Sequence, residues 1–295
     1  MRETPSLAQT PSARIVGLTA LAMIAFAANS VLCRLALAQG AIDPASFTLV
    51  RVGAGAAVLW LILAASGKPQ AARGDWPAAL SLFVYAAAFS FAYVSLTAGT
   101  GALLLFGAVQ ATMVATGLAR GERLSRLQTL GFVLALTGLV ALLLPGASAP
   151  PLIGAALMIV AGAAWGAYSL LGRTAADPLA ATAGNFLRAL PLAALLAAAT
   201  LFQGWNIAPA GVIYAALSGA VASGLGYSIW YAALRGLSPV QAASVQLSVP
   251  VLAALAGAAT LGEAVSLRFV LSSTAILGGI ALVIASRKRL TNRPR

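Results

Sequence analysis

Aromatic and uncharged polar side chains inside long apolar segments are the residues of this sequence that could recognise an organic molecule. Tyr85 and Phe89 are four residues apart, which places both rings on one face of a helix. Trp165 and Tyr168 form a second aromatic pair at helical spacing. The polar members of the set carry an amide or a hydroxyl group: Asn29, Gln110, Ser244 and Gln246. Rings combined with uncharged polar groups suit a neutral or zwitterionic solute, so we predict that these eight residues bind a substrate.

Each of these residue types also has a structural explanation. Trp and Tyr favour the two interfaces of a membrane, although Tyr85, Phe89 and Trp165 lie closer to the middle of their segments. Gln110 and Gln246 occupy near-equivalent positions, and an amide there could serve an interhelical hydrogen bond worth about 0.6 kcal/mol. The sequence leaves both explanations open.

The sequence lacks the residue types that most enzymes use for catalysis. The chain has no histidine, one cysteine, Cys33, and six acidic residues, all of which lie near the termini or between apolar segments. We therefore expect no catalytic residues, no cofactor and no metal site. Proton relays in membranes use Asp, Glu or His, so we also expect facilitated diffusion or exchange without a carboxylate that binds the coupled proton.

Three further residues lie inside apolar segments. Arg51 and Arg188 are each more than a turn inside, where a charge is a functional candidate, here for a substrate carboxylate. Their matched positions and long side chains favour a structural role instead. Pro250 removes one backbone hydrogen bond from its helix, and we expect it to form a kink or a gating hinge.

Apolar segments of membrane-spanning length must position all of these residues. Of the 295 residues 61% are apolar and 8% charged, and 19 uncharged residues separate Arg14 from Arg34, close to the ~20 that one helix needs. The gaps between charges predict an all-α polytopic membrane protein with ten spans: 15–37, 44–66, 76–97, 101–119, 127–144, 152–172, 180–202, 209–233, 240–261 and 268–286.

The basic residues set the predicted orientation. With ten spans, Arg34 and Arg268 lie on the side opposite the termini, while fourteen of the 18 Lys and Arg lie on the terminal side. The positive-inside rule then places both termini in the cytoplasm, in a cytoplasmic (inner) membrane. The net charge of +12 thus reflects the topology of the chain and favours contact with membrane lipids. We expect no nucleic-acid partner.

An internal repeat divides the chain. Gly121-Glu122 matches Gly262-Glu263 at an offset of 141, and Asp43-Pro44 matches Asp177-Pro178. The predicted parts are a tail at 1–14, repeats at 15–146 and 151–286, and a basic tail at 287–295. Because each repeat holds five spans, the second enters the membrane from the opposite side, as in secondary transporters.

These features identify the sequence as similar to the drug/metabolite transporter superfamily, EamA type, and most similar to its YddG-like exporters of amino acids. The resemblance rests on the two five-span repeats, on both Gly-Glu pairs and on Pro250 in the ninth span. It implies a bundle whose central cavity is walled mainly by spans one, three, four, six, eight and nine. Spans five and ten would then lie at the periphery.

We therefore expect a secondary transporter that moves a small neutral or zwitterionic metabolite outward, an aromatic amino acid being the first choice, by alternating access. A passive channel is the main alternative, but the spans show no continuous polar stripe or ring of charges. Nucleobases or drugs are alternative substrates. We expect a small-molecule substrate as the main partner and a monomer or weak homodimer.

Overall fold

The computed structural model describes residues 12–67, 73–119, 121, 124–146, 149–172, 175–200, 206–237 and 239–291, without the side chains of 239, 240, 243 and 285–291. Several predicted features lie outside the described residues: the N-terminal tail up to residue 11, Glu122, residues 201–202 of the seventh span, and the end of the basic tail from 292.

The described chain is helical. Its first half forms five helices: α1 Ala13–Leu37, α2 Pro44–Ala65, α3 Trp76–Ala92, α4 Ala98–Ala119 and α5 Arg126–Leu143. Its second half forms seven: α6 Leu152–Gly172, α7 Pro178–Thr200, α8 Pro209–Leu217, α9 Gly226–Leu234, α10 Pro239–Gln246, α11 Ser248–Leu261 and α12 Leu267–Thr291. A π-helical segment, Ser218–Leu225, joins α8 to α9 without a break.

The apolar helices establish a multi-pass membrane protein. Within the described residues nine helical segments are long and apolar enough to cross a membrane, counting α8 to α9 as one, and α3 is a shorter apolar helix of 17 residues. Ten spans therefore remains a prediction, although each predicted span coincides with an apolar helical segment.

Matched Asp-Pro pairs begin the second helix of each half. Asp43 accepts hydrogen bonds from the backbone N–H groups of Ala45 and Ser46 at the start of α2. Asp177 accepts from Leu179 and Ala180 at the start of α7 in the same way. The side chain satisfies donors that a helix leaves unpaired, while proline tolerates the first turn. The sequence repeat thus has a structural cause.

The predicted boundary between the third and fourth spans is wrong. We expected the third span to reach residue 97 and the fourth to begin at 101, but α3 ends at Ala92 and α4 begins at Ala98. The Tyr93 hydroxyl donates to the Ala98 carbonyl, and its ring lies against Gly101, where a Cβ would overlap it. Gly101 therefore lies inside α4 and allows close packing against the Tyr93 ring.

The ninth span, predicted over 240–261 with Pro250 as a kink or gating hinge, is divided at Leu247 into α10 and α11. Pro250 has no N–H to donate to the Gln246 carbonyl four residues earlier, and its ring crowds that group. The Leu247 N–H bonds instead to Ser244, one residue closer than in an α-helix. A break at this proline is thus a local consequence of the sequence.

Helices at the centre pack at backbone distance. Gly219 of the π-helical segment lies against the Arg51 carbonyl of α2, and Gly55 lies against the Phe186 ring of α7. A Cβ at either glycine would overlap these atoms. Close approach of this kind is typical of membrane helix interfaces. These two contacts hold α2 against the second half of the chain. The Arg51 side chain, on the same helix, lies in the interior.

The first helices of the two halves run in opposite directions. Arg34, near the end of α1, donates to the carbonyls of Tyr93 and Val94 in the loop between α3 and α4. Gly154, at the start of α6, packs against Ser95 and Leu96 of that same loop. The end of α1 and the start of α6 therefore share one end of the bundle, which is the arrangement that an inverted repeat requires.

Candidate functional site

Arg51 lies in the interior with only 2% of its surface exposed. Its Nη2 donates to the Tyr85 hydroxyl at 2.8 Å. Its guanidinium carbon lies 5.1 Å from the centre of the Tyr85 ring and 4.8 Å from that of Phe89. Both distances are within the range in which an aromatic face attracts a cation. The buried charge is thus held by rings and one hydroxyl group.

Asn29 joins the two halves of the chain at the same place. Its Nδ2 donates to the Tyr85 hydroxyl at 3.3 Å, and its Oδ1 accepts from the Ser218 hydroxyl at 2.6 Å. All three side chains are buried. The bonded chain Ser218–Asn29–Tyr85–Arg51 therefore starts on the π-helical segment of the second half and ends on α2 of the first.

Trp165 is the hub of the aromatic contacts. Its ring centre lies 4.8 Å from Tyr85, 5.3 Å from Tyr168 and 5.2 Å from Tyr227. Phe26 and Phe186 contact the Tyr227 ring from α1 and α7 at 5.9 and 6.2 Å. The eight interior residues that surround this point are called the central cluster below: Asn29, Arg51, Tyr85, Phe89, Trp165, Tyr168, Ser218 and Tyr227.

Thr182 extends the polar part of this region on α7. Its hydroxyl oxygen accepts from the Tyr168 hydroxyl at 3.2 Å and lies 3.0 Å from that of Tyr231. It also donates to the Pro178 carbonyl one turn earlier. One buried threonine thus holds two tyrosines in position beside Trp165.

The structure brings five of the eight predicted binding residues together in the central cluster: Asn29, Tyr85, Phe89, Trp165 and Tyr168. Gln110 lies elsewhere, in a small pocket of about 30 Å³ between α4, α5 and α12 whose lining is mostly apolar. Ser244 lines a cleft between α1 and the α10–α11 pair. Gln246 donates to the Ala242 carbonyl of its own helix, and Pro250 is buried within α11. Binding by any of these residues stays a prediction.

Three members of the central cluster were missed or assigned another role. Tyr227 lies near the end of the predicted eighth span, where tyrosine favours the membrane interface, yet its side chain is buried. Ser218 carries no sequence signal beyond its glycine-rich surroundings. Arg51 was assigned to structure together with Arg188, but only Arg51 reaches the cluster, since Arg188 donates to the Gly184 carbonyl of its own helix at 3.1 Å.

The cluster draws on a different set of helices from the one that the resemblance implied. It includes Arg51 on α2 but no residue of α4, α10 or α11, the expected fourth and ninth spans. Thr182 and Phe186 of α7 contact its tyrosines from outside the cluster. The expected peripheral spans, α5 and α12, pack against each other, with Gly131 and Gly138 of α5 facing Gly279 and Ala275 of α12.

The two ends of the bundle differ. At the end shared by the α3–α4 loop, Arg34 and Glu263 form an ion pair with Nε and Oε1 3.0 Å apart. Toward the other end, a cleft of about 550 Å³ separates α1 from α10 and α11, and Thr19, Gln241, Ser244 and Ser248 are its polar lining residues. The ion pair and the cleft therefore lie at opposite ends of the bundle. No group of three or more His, Cys, Asp or Glu that could hold a metal ion occurs within the described ranges.

Comparisons with known proteins agree with this architecture. A solved crystal structure shares the fold, with a TM-score of 0.62 at 22% identity over 92% of this chain and 99% of that chain. The uncharacterized protein PA1977 of Pseudomonas aeruginosa is 60% identical over 279 residues, 94% of this chain and 96% of its own length. The threonine/homoserine exporter RhtA of Salmonella typhimurium is 35% identical over 141 residues, 46% of this chain and 44% of its own length.

The family assignment comes from a match to both halves. The model of the EamA-like transporter family matches residues 13–144 and again residues 152–285. Those two segments cover nearly every described helix. A transporter family, two repeats and apolar helices of spanning length all describe the same kind of molecule, and the names of the family and of RhtA point to transport in place of catalysis. This chain belongs to the EamA-like transporter family.

Proposed function

We propose that this EamA-like transporter exports small amino acids across the cytoplasmic membrane by alternating access through the central cluster. One observation carries the proposal: the buried hydrogen-bonded chain from Ser218 through Asn29 and Tyr85 to Arg51 crosses from one half of the molecule to the other. Secondary transporters built from inverted repeats bind their substrate between the two halves, near the middle of the membrane.

The hydrogen-bonded series from Ser218 to Arg51 lies deep inside the helices, between the two halves, where a transporter of this kind binds its substrate. Polar side chains within membrane helices are costly unless they are paired or line a wet cavity. Here Asn29, Arg51 and Ser218 all lie more than a turn inside their helical segments. Relative rotation of the two halves would separate the Asn29–Ser218 hydrogen bond, so substrate binding there is coupled to the motion that alternates access.

The substrate class follows from the groups that surround this point. Arg51 supplies a cation, Asn29 an amide, and Trp165 and Tyr227 supply ring faces, a set that suits a zwitterion with a carboxylate and an ammonium group. The similarity to RhtA, a threonine/homoserine exporter, supports an amino acid. The rings are compatible with aromatic amino acids as well, so both kinds belong in the test.

The direction of transport is proposed from charge and shape. Of the two sides, the one carrying the chain termini has most of the basic residues, and it is the side toward which the α1 cleft lies. The positive-inside rule assigns that side to the cytoplasm. The ion pair between Arg34 and Glu263 then closes the outer end. A substrate enters from the cytoplasm in this state and leaves after the outer end opens.

Counterflow in liposomes tests the function directly. Purified protein is reconstituted, the vesicles are loaded with an unlabelled solute, and uptake of the labelled solute is followed for threonine, homoserine, phenylalanine, tryptophan, a nucleobase and a sugar. We expect saturable, transient accumulation for at least one amino acid. Uptake that is linear with concentration and shows no accumulation would indicate a channel, and accumulation of the nucleobase or sugar alone would contradict amino-acid export.

A further inference from the structure

We infer that the guanidinium of Arg51 binds the carboxylate of the transported solute, and that this contact selects solutes with a free acid group. The inference rests on the proposed function and makes it narrower. It identifies one side chain as the anchor and one functional group as the requirement.

The charge of Arg51 has no acidic counterpart in the part of the chain that the structure describes. The ion pair found there is the one between Arg34 and Glu263. The other described carboxylates cap helix starts: Asp43 on α2, Asp75 on α3 and Asp177 on α7. A buried cation without an anion is expensive in a low-dielectric interior. An anionic group on the substrate would neutralise it.

The guanidinium also has donor capacity that the protein does not use. Nη2 donates to Tyr85, but Nη1 is buried and has no hydrogen-bond partner among the described residues. Nearly all buried polar groups in proteins are hydrogen-bonded. A planar guanidinium with a free donor edge matches a carboxylate, which accepts from two nitrogens at once.

The surroundings of the guanidinium hold it in place for this task. Tyr85 and Phe89 present their rings to it from α3, and the Tyr85 hydroxyl fixes Nη2. Because Gly219 has no side chain, the α2 backbone at Arg51 packs directly against the π-helical segment. Contacts therefore hold both the backbone and the guanidinium of Arg51. π-Helical segments are often found at functional sites. Because the cation is already positioned, little ordering remains to be done when a carboxylate binds.

Arg188 provides the matched comparison. It occupies the equivalent position in the second repeat, but its Nη1 donates to the Gly184 carbonyl of its own helix, and its side chain is only partly buried. If repeat symmetry alone explained these arginines, both would have the same surroundings. Their surroundings differ. The donor without a partner is Nη1 of Arg51, which lies in the central cluster between the two halves.

The test compares each acid with its amide. In counterflow, labelled L-threonine and L-phenylalanine are competed with the unlabelled acids and with L-threoninamide and L-phenylalaninamide. We expect the acid of the transported pair to compete about 10- to 100-fold better than its amide, the effect of one charge-assisted hydrogen bond. Arg51→Met should remove this preference, Arg51→Lys should retain part of it, and Arg188→Gln should leave it unchanged.

A structural role for Arg51 would give another pattern. A packing defect lowers transport of acid and amide alike, so the ratio between them would stay at the wild-type value, and that result would overturn the inference. Equal competition by acid and amide in the wild-type protein would also overturn it, whatever the variants do and even if Arg51→Met does not fold. Absence of exchange for every amino acid would instead contradict the proposed function itself.

Discussion

Arg34 and Glu263 form an ion pair 3.0 Å long between the last turn of α1 and the residue after the Gly262 turn that ends α11. Gly262 has a φ of +64°, a conformation that glycine adopts without strain, and it turns the chain so that Glu263 points back. The other Glu263 oxygen accepts from the Ala98 N–H at the start of α4 at 2.8 Å. One carboxylate therefore holds three helix ends together and gives the Gly-Glu motif a physical role.

Removing this charge should favour opening at that end. Glu263→Gln keeps a similar shape but loses the charge, and a hydrogen bond to a charged group contributes about 1.5–3 kcal/mol. Cys33, the only cysteine of the chain, is buried beside Arg34 and lies near Arg51. We expect a membrane-impermeant thiol reagent added outside to label Cys33 about tenfold faster or more in the variant.

Arg268→Gln is the control for this labelling. Arg268 lies at the same end, and its guanidinium donates to the Leu144 carbonyl at the end of α5 instead of binding Glu263. Its loss should leave Cys33 labelling at the wild-type rate. Equal acceleration in both variants would mean that general loosening, and not the Arg34–Glu263 pair, controls access.

Trp165→Ala should reduce counterflow at least tenfold while the protein stays folded. The ring contacts Tyr85, Tyr168 and Tyr227, and each aromatic pair contributes about 0.5–1.5 kcal/mol beyond the area that it buries. Trp165→Phe should retain most of the transport because a ring face remains. Trp60→Ala is the control, since Trp60 is 45% exposed on the outside of the bundle. Unchanged transport in Trp165→Ala would exclude this ring from the site.

Thr182→Val should destabilise the fold more than its volume suggests. The change is nearly isosteric, but it leaves the hydroxyls of Tyr168 and Tyr231 without their common partner. A buried polar group without a partner costs about 1–3 kcal/mol. The free energy of unfolding in detergent, measured by denaturant titration, should fall by that amount or more. Thr200→Val, which removes only hydrogen bonds within α7, should change it by less.

Gly162→Ala and Gly278→Ala should have opposite effects on stability. A Cβ at Gly162 would meet the Ala108 methyl and the Leu105 carbonyl where α6 packs on α4, whereas nothing lies within 4 Å of one at Gly278. Overpacking costs about 1–3 kcal/mol, while alanine in an open helical position gains about 0.5–1 kcal/mol. Similar unfolding free energies for the two variants would contradict the close α4–α6 contact.

Helical spacing predicted the neighbours within one helix. Tyr85 with Phe89, and Trp165 with Tyr168, are in ring contact because residues three or four apart share a helix face. The Asp-Pro pairs, which the sequence presents as matches of the repeat, begin helices for an equally local reason. Features that depend on a few consecutive residues therefore follow from the sequence without knowledge of how the helices pack.

Which residues of different helices meet depends on the rotation and tilt of whole helices. Gln110 and Gln246 both lie on predicted spans, yet Gln110 lies in the pocket between α4, α5 and α12 while Gln246 bonds to its own helix. Arg51 and Arg188 match in sequence but not in surroundings, because only α2 meets the π-helical segment closely enough to carry its arginine inside. A single sequence does not specify which partner each helix face meets.

A pH gradient alone should not drive uphill uptake of substrate into proteoliposomes. Each described carboxylate lies at a helix end and is occupied there: Asp43, Asp75 and Asp177 accept backbone N–H bonds, and Glu263 binds Arg34. A proton relay through a membrane protein requires titratable groups along its path, and the central cluster offers only hydroxyl, amide, indole and guanidinium groups. Exchange across the membrane should therefore continue at equal rates with and without the gradient, and accumulation above the external concentration should require a gradient of a counter-substrate. Concentrative uptake driven by pH alone would show that a proton-binding group exists and would refute uncoupled facilitated diffusion or exchange, while leaving the family assignment and the alternating-access proposal intact.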